Sequence, residues 1–551
     1  MSNAPDNWSR RLARGLMNAV LIVYVLMCAI VVFVDRNIDY SLRASNVPLL
    51  PNLALLAIAV VGVILFQKFV LQRRATVTVK EPAHASSGRG AAIIATAALF
   101  CYQLVSFYNV GFLTGWDAGT VREASILPAP LSQTLVADGW YYSYFSRFPN
   151  NLLLLILLRA QDRIRAAVVP QMAEGVFFAI ISMLLVSLSF YLFTRVSAKL
   201  LSQGRFARLA DIIFFVLVGL SPWYMIPYSD TYGLFFCTLM LYLLVCHGDS
   251  LPALIALGLL SAAAYSIKPT CIFVLIAACL VWVLESWRSP VIRKTLSNVA
   301  IVLLAFVVSL AGVHAATKKL NITWDDSPRF TISHYLMMGL NDETDGAFSY
   351  DDSILSMTQA TVEAREEVNK AVTKERLETY GPLGLARHLV KKTLVCFNDG
   401  TFAWLGEGDF IHETAGVASD DSSNFFRSYI YPPESPSEEV PYRLFCTIEQ
   451  TLWLVCLVGI PLGLLRQRRH RDPGEKECGS VQPGWLVIAY CVGAILLFLL
   501  AFEARARYLY LYSGFFVLLG MYGYQQVAQR LSVWHAEHPR RQATPRLRTE
   551  K

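Results

Sequence analysis

Residues 150–163, NNLLLLILLRAQDR, decide how this chain is threaded. The stretch follows Pro149 and resembles the opening of a membrane-spanning helix. Only about ten of its residues are apolar, however, whereas a crossing needs about 17–25. Arg159, Asp162 and Arg163 end the run. Counting it as a crossing would also put the basic 195–208 segment on the opposite face from every other basic segment. It is therefore read as a juxtamembrane or re-entrant helix, started by Pro149 and packed beside the loop that carries Asp117.

The composition says what surrounds that helix. The chain has 551 residues, 55% hydrophobic and only 16% charged, with mean hydropathy +0.44. That is too apolar for a soluble protein of this size and predicts an all-α polytopic membrane protein. About twelve apolar runs reach spanning length. They fall at 15–34, 49–70, 91–113, 169–193, 209–228, 231–248, 251–267, 270–287, 297–315, 449–466, 484–502 and 508–528. The first, Leu16 to Val34, is long enough to span and lacks a small-residue cleavage site, so it reads as an anchor.

The net charge of +7 does not point to nucleic acid, because Lys and Arg cluster in short segments between spans. Arg10, Arg11 and Arg14 precede the first span, and Arg73, Arg74 and Lys80 follow the second. Further clusters are Arg195 to Arg208, Arg288 with Arg293 and Lys294, RQRRHR at 466–471, and Arg540, Arg541, Arg546 and Arg548 in the tail. One alternating topology puts all of them on one face, which the positive-inside rule makes the cytoplasm, with both termini. Asp117, Asp230, Lys268, the long 316–448 segment and Glu503 then share the outer face.

This divides the chain into two extra N-terminal spans with a linker (1–90), a transmembrane core (91–315) with a first outer loop at 114–168, an outer cap (316–448), C-terminal spans (449–530) and a basic tail (531–551). In the cap, QATVEAREEVNKAVTKERLETYG predicts an amphipathic helix stopped at Gly381 and Pro382, and SHYLMMGLNDETDGAFSYDD a short helix followed by a turn at Asp345-Gly346. Of the 11 cysteines, most lie in apolar runs as small buried hydrophobes, with no Cys/His metal spacing. A disulfide between Cys396 and Cys446 stays open.

The candidate chemistry lies at the outer ends of spans. Asp117, in GWDAG, is the acid of the first outer loop nearest a span end; the alternative is a cap on the following helix. Asp230, in PYSDTYG, has the same alternative. Lys268, in SIKPT, is either a site cation or a snorkelling lysine. Glu503, Arg505 and Arg507, in FEARARYLYLY, either serve a site or anchor the last span at the interface. The two arginines diverge if helix has begun, so only one would face the site. Arg147, Asn150 and Asn151, in SRFPNN, either bind phosphate or sugar hydroxyls or start a helix. Trp404, in FNDGTFAWLGEG, suits a cap that grips an amphipathic ligand, or a packed core.

The run of GWD at 115–117, FPNN at 148–151, SPWYMIPYSD at 221–230, KPT at 268–270 and EARARYL at 503–509 resembles the GT-C superfamily of polyprenyl-phosphate-sugar-dependent glycosyltransferases, of the protein mannosyltransferase and aminoarabinose transferase kind. The resemblance covers roughly 90–530 and implies a GT-C-like fold, with the first-loop acid as catalytic base and later basic residues on the lipid-linked phosphate. YSD replaces an acid pair found in other members, which leaves the role of Asp230 open.

The residues suit such chemistry on their own. Inverting transfer needs a base on the acceptor hydroxyl, a role for Asp117, and positive charge on the leaving phosphate, a role for Lys268, Arg505, Arg507 or Arg147. Trp116, Trp140, Tyr141 and Tyr142 suit sugar faces or the interface. No cofactor is required, although the acids could hold a divalent cation. The partners expected are a polyprenyl-phosphate sugar donor, the bilayer, and a glycan, lipid or protein acceptor of the cell envelope. Two other classes remain: a transporter or flippase for lipid-linked sugar, which would carry charge near mid-membrane, and a non-catalytic envelope-assembly protein.

Overall fold

A computed structural model describes residues 8–35, 49–62, 87–110, 115–248, 250–322, 329–404, 425–431, 439–465 and 481–537. Every regular element among them is helical. Twenty helices set the frame. They are α1 (Trp8–Ala29), α2 (Asn52–Gly62), α3 (Ser87–Val110), α4 (Trp116–Ser125), α5 (Leu131–Ala137), α6 (Gly139–Arg147), α7 (Leu152–Val168), α8 (Glu174–Leu200), α9 (Gly204–Phe214) and α10 (Ser229–Tyr242). There follow α11 (Leu251–Ile267), α12 (Ile272–Ser286), α13 (Ile292–Lys318), α14 (Ile332–Met338), α15 (Tyr350–Met357), α16 (Val362–Phe397), α17 (Phe425–Ile430), α18 (Glu439–Leu462), α19 (Pro483–Ala501) and α20 (Ser513–Glu537).

Among the described residues, eight helical stretches are long and apolar enough to cross a membrane: Trp8–Val34, Arg89–Val110, Glu174–Leu200, Ser229–His247, Pro269–Ser286, Ile292–Lys318, Val440–Leu465 and Pro483–Ala501. The chain is an all-α polytopic membrane protein. The remaining expected spans differ in detail. Leu251–Ile267 is apolar but shorter, and the 49–70 run is described only as Asn52–Gly62. The 209–228 run is not one helix: α9 passes into a π turn at Phe215–Gly219, then a 3-10 turn at Pro222–Met225, because Pro222 lacks the amide a continuing helix needs. The last run starts with the 3-10 turn Ala506–Tyr512 before α20 takes over.

The spans form a bundle with α20 at its centre, its residues 513–519 all buried among α9, α18 and α19. Gly523 lets α20 and α18 touch, since a Cβ there would lie 1.9 Å from the Gly459 carbonyl. By contrast α13 packs along α11 and otherwise turns its apolar side chains outward, Leu304, Val307 and Val308 among them, as a lipid-facing helix does.

Helix α7 is 17 residues long and preceded by the 3-10 turn Pro149–Asn151. Leu152, Leu154, Leu155 and Leu158 are buried, while Arg159, Asp162, Arg163 and Arg165 occupy its second half. Arg159 donates to the Ser125 carbonyl at 2.9 Å, fastening α7 to the end of α4. Between α15 and the 398–404 loop, α16 breaks at Gly381 (φ 54°), just before Pro382, and a second leg runs on to Phe397. Cys396 and Cys446 are buried free thiols, not a disulfide.

Candidate active site

Helix α4 enters through Gly115 and Trp116, whose φ of 32° is in the left-handed region that a bulky residue avoids. That turn aims Asp117 inward. Asp117 lies in the first turn of α4, two residues past the N-cap Gly115, and the hydrogen bond its carboxylate accepts comes from a side chain outside that turn. The carboxylate accepts a hydrogen bond from the Tyr228 hydroxyl at 3.3 Å, and Tyr144 lies near enough to act on it electrostatically. Burial pushes the Asp117 carboxyl above its ordinary value, against the opposing pull of Arg507, the two hydroxyls and Lys268.

Behind the tyrosines stands Asn151, 2% exposed, whose amide donates to Tyr144 at 2.7 Å and to Tyr228 at 3.4 Å. Its neighbour Asn150 reaches only Asn151, at 3.3 Å. The FPNN turn thus starts α7 and also fixes Tyr144 and Tyr228, the second of which holds Asp117.

A second charged cluster adjoins the first. Lys268, where α11 stops, donates to Asp230 in the first turn of α10 at 2.7 Å. Arg507 approaches the other oxygen of Asp230 at 3.6 Å. Asp230 is 1% exposed and does not cap α10, and Lys268 is buried rather than extended toward water. The Arg507 guanidinium lies over the Trp116 ring, 4.5 Å from its centre, and Lys268 over the Tyr508 ring at 4.6 Å. Trp116 also meets Tyr228 edge-on at 5.0 Å, which brings the two clusters into one site.

The chain between α19 and the 3-10 turn, residues 502–505, forms a strap beside this site. Glu503 accepts from Tyr508 at 3.0 Å, and burial raises its carboxyl above the ordinary range. Arg505 is extended and lies just before the 3-10 turn, near enough to both Glu503 and Asp399 to act on them electrostatically. Asp399 itself is structural, accepting from the Thr401 amide at 2.8 Å, the Thr401 hydroxyl at 2.7 Å and the Ala403 amide at 2.8 Å.

Arg147 stands at the rim. Its Nε donates to the Ser143 carbonyl at 3.1 Å and a terminal nitrogen reaches the Met357 sulfur in α15 at 2.8 Å. Among the described residues no carboxylate pairs with it, although Asp117 is near enough to act on it electrostatically.

Of the two readings of Trp404, the geometry favours the packed core: it is fully buried, donates to the Ile430 carbonyl at 2.8 Å and packs edge-on against Trp223 at 5.6 Å. Tyr144, Tyr228 and Tyr508 went unnoticed in the sequence, where 25 tyrosines sit mostly near span ends. A signal was present for Tyr144: in GWYYSYFSR it is the tyrosine one helical turn from Arg147 and seven residues before Asn151. Among the described residues no group of three or more His, Cys, Asp and Glu side chains is placed to hold a metal ion.

A bundle of apolar helices with buried charge gathered at helix ends defines a multi-pass integral membrane protein. The chain belongs to the family described as "Conserved hypothetical integral membrane protein", whose model matches residues 10–528. No curated protein matches it. Among solved structures it is similar to the archaeal oligosaccharyltransferase AglB from Archaeoglobus fulgidus, in complex with an inhibitory peptide and a dolichol-phosphate, at 12% identity and TM-score 0.33. That match covers 80% of this chain and 51% of AglB, so the chain spans about half the length of that protein. It is also similar to ArnT from Cupriavidus metallidurans bound to undecaprenyl phosphate, at 14% identity and TM-score 0.29, covering 83% of this chain and 81% of ArnT. Scores this low assign no chemistry to the chain.

Proposed function

We propose that this protein is a membrane glycosyltransferase of the GT-C kind, which moves a sugar from a polyprenyl-phosphate carrier to an acceptor hydroxyl on the extracytoplasmic face, with inversion. The observation that carries this reading is Asp117, a half-buried carboxylate hydrogen-bonded by Tyr228 beside a cluster of cations at helix ends. Asp117 takes the proton from the acceptor hydroxyl while that oxygen attacks the anomeric carbon. The bond from that carbon to the phosphate oxygen breaks, and its electron pair leaves with the polyprenyl phosphate. Lys268 and Arg507 already share Asp230, so Arg147, with no carboxylate partner among the described residues, is the better group for the leaving phosphate.

The placement of the charges favours transfer over transport. Asp230 and Lys268 lie where α10 begins and α11 ends, and Glu503 and Arg507 lie outside regular α-helix. A transport site is expected nearer mid-span. Both termini are assigned to the cytoplasm and the site to the outside.

The test is transfer by the purified full-length protein in lipid nanodiscs, with a panel of polyprenyl-phosphate sugars, alongside cell-envelope glycan analysis of a deletion strain. The expected result is release of polyprenyl phosphate and loss of one glycan feature. No turnover with any donor, together with an unchanged envelope, would overturn the reading.

A further inference from the structure

Lys392 is the most deeply buried cation of the outer segment, with no measurable exposure. It lies in the second leg of α16, and its ammonium donates to two carbonyls from separate parts of the chain. One is Gly339, just after α14, at 2.8 Å; the other is Phe502 in the strap, at 2.6 Å. A lysine has three donors and no acceptor, so one ammonium can join two carbonyls that cannot bond each other. Burying that charge is costly, and burial pulls the Lys392 pKa down to about 8. A side chain kept there at such cost is expected to hold something that apolar packing could not.

Two backbone features support this junction. A Cβ on Gly339 would sit 2.7 Å from the Phe502 carbonyl carbon and oxygen, so only glycine allows the approach. The Ala504 amide donates to the Gly346 carbonyl at 2.7 Å, a second stitch between the 339–346 turn and the strap. One turn before Lys392, His388 Nε2 also bonds the Gly339 carbonyl, at 2.9 Å.

We propose that Lys392 is a positioning residue that seats the outer segment on the strap and so sets Glu503, Arg505 and Arg507 relative to Asp230 and Asp117. The outer segment is then part of the site's framework and not only a cover. The activity arm of the test rests on the glycosyltransferase reading; the exchange arm does not.

The experiment compares wild type, Lys392→Met and Lys392→Arg as full-length protein in nanodiscs by hydrogen exchange and transfer kinetics. In wild type, peptides over 339–347 and 501–507 should open together. In Lys392→Met the 501–507 peptide should exchange on the order of 10-fold faster, with peptides over 174–200 unchanged. Transfer kcat should fall by about 10²-fold, as expected of a displaced site group, with a smaller change in donor KM. Lys392→Arg should recover both. Unchanged exchange at 501–507 in a folded Lys392→Met would overturn the proposal. Should that variant not fold, independent opening of the two wild-type peptides would overturn it equally. Coupled exchange in a wild type that transfers no sugar would support the positioning role and sink the transferase reading instead.

Discussion

Asp230 is a side chain whose removal should be costly. It is 1% exposed and faces two cations, Lys268 at 2.7 Å and Arg507 at 3.6 Å, whose side chains are 11% and 13% exposed. At an effective dielectric near 20, those distances correspond to attractions of about 6 and 5 kcal/mol before desolvation is subtracted. Asp230→Asn keeps the volume but takes away the carboxylate nearest both cations, leaving Asp117 and Glu503 at longer range and the rings of Tyr508 and Trp116 beside them. Breaking one side of such a pair costs about 3–5 kcal/mol. Removing Lys268 as well should restore part of that loss, because one of the two cations goes with it. The assay is a double-mutant cycle on Asp230→Asn, Lys268→Met and the double variant, read by denaturant unfolding in detergent. The double variant should recover about 1–3 kcal/mol relative to additivity. An Asp230→Asn protein within about 1 kcal/mol of wild type, the range of surface ion pairs, would refute the reasoning.

Asp117→Asn keeps an acceptor for Tyr228, so it should fold and insert, yet transfer should fall by about 10²–10⁴-fold; near-normal transfer would move the base elsewhere. Because burial raises the Asp117 carboxyl, the acid limb of kcat/KM should lie above the ordinary value of 3.8. The fold favours the protonated form there, so Asp117 stabilises the protein at low pH and loses that contribution as pH rises through its raised pKa, the same window in which activity appears. An acid limb at or below 3.8 contradicts this. Trp404→Ala should cost about 3–5 kcal/mol and lower folded yield; a well-folded variant with raised donor KM would restore Trp404 to the ligand surface. In a cysteine-free background, an impermeant reagent should label Gln133→Cys in intact cells and spare Pro290→Cys; the reverse pattern would invert the proposed orientation.

Helix starts and stops were legible because their signals are local. Pro149 opening the α7 segment, Pro269 after Lys268 and the Gly381-Pro382 break can each be read from a few adjacent residues. The 209–228 run shows the limit of that approach. Its hydropathy is continuous, yet Pro222 interrupts the helix, and average hydropathy does not register one missing amide. Trp404 shows another limit: aromatic composition fits a ligand surface as well as it fits a core, and only the position of Trp223 separates the two.

By itself the sequence determined the class of protein, an all-helical chain of apolar spans, because span length and the side-chain content of a run follow from bilayer thickness and helical rise. It also singled out Asp117, Asp230, Lys268, Glu503 and Arg507 as polar groups at the ends of apolar runs. The tertiary structure alone decided their partners. Lys268 meets Asp230 from 38 residues away, Tyr228 meets Asp117 from 111, and Lys392 meets the strap from 110. Helical periodicity sets which face of one helix a side chain occupies, but which faces of different helices meet depends on how the whole bundle packs, through close approaches such as Gly523 on Gly459 and Gly339 on Phe502.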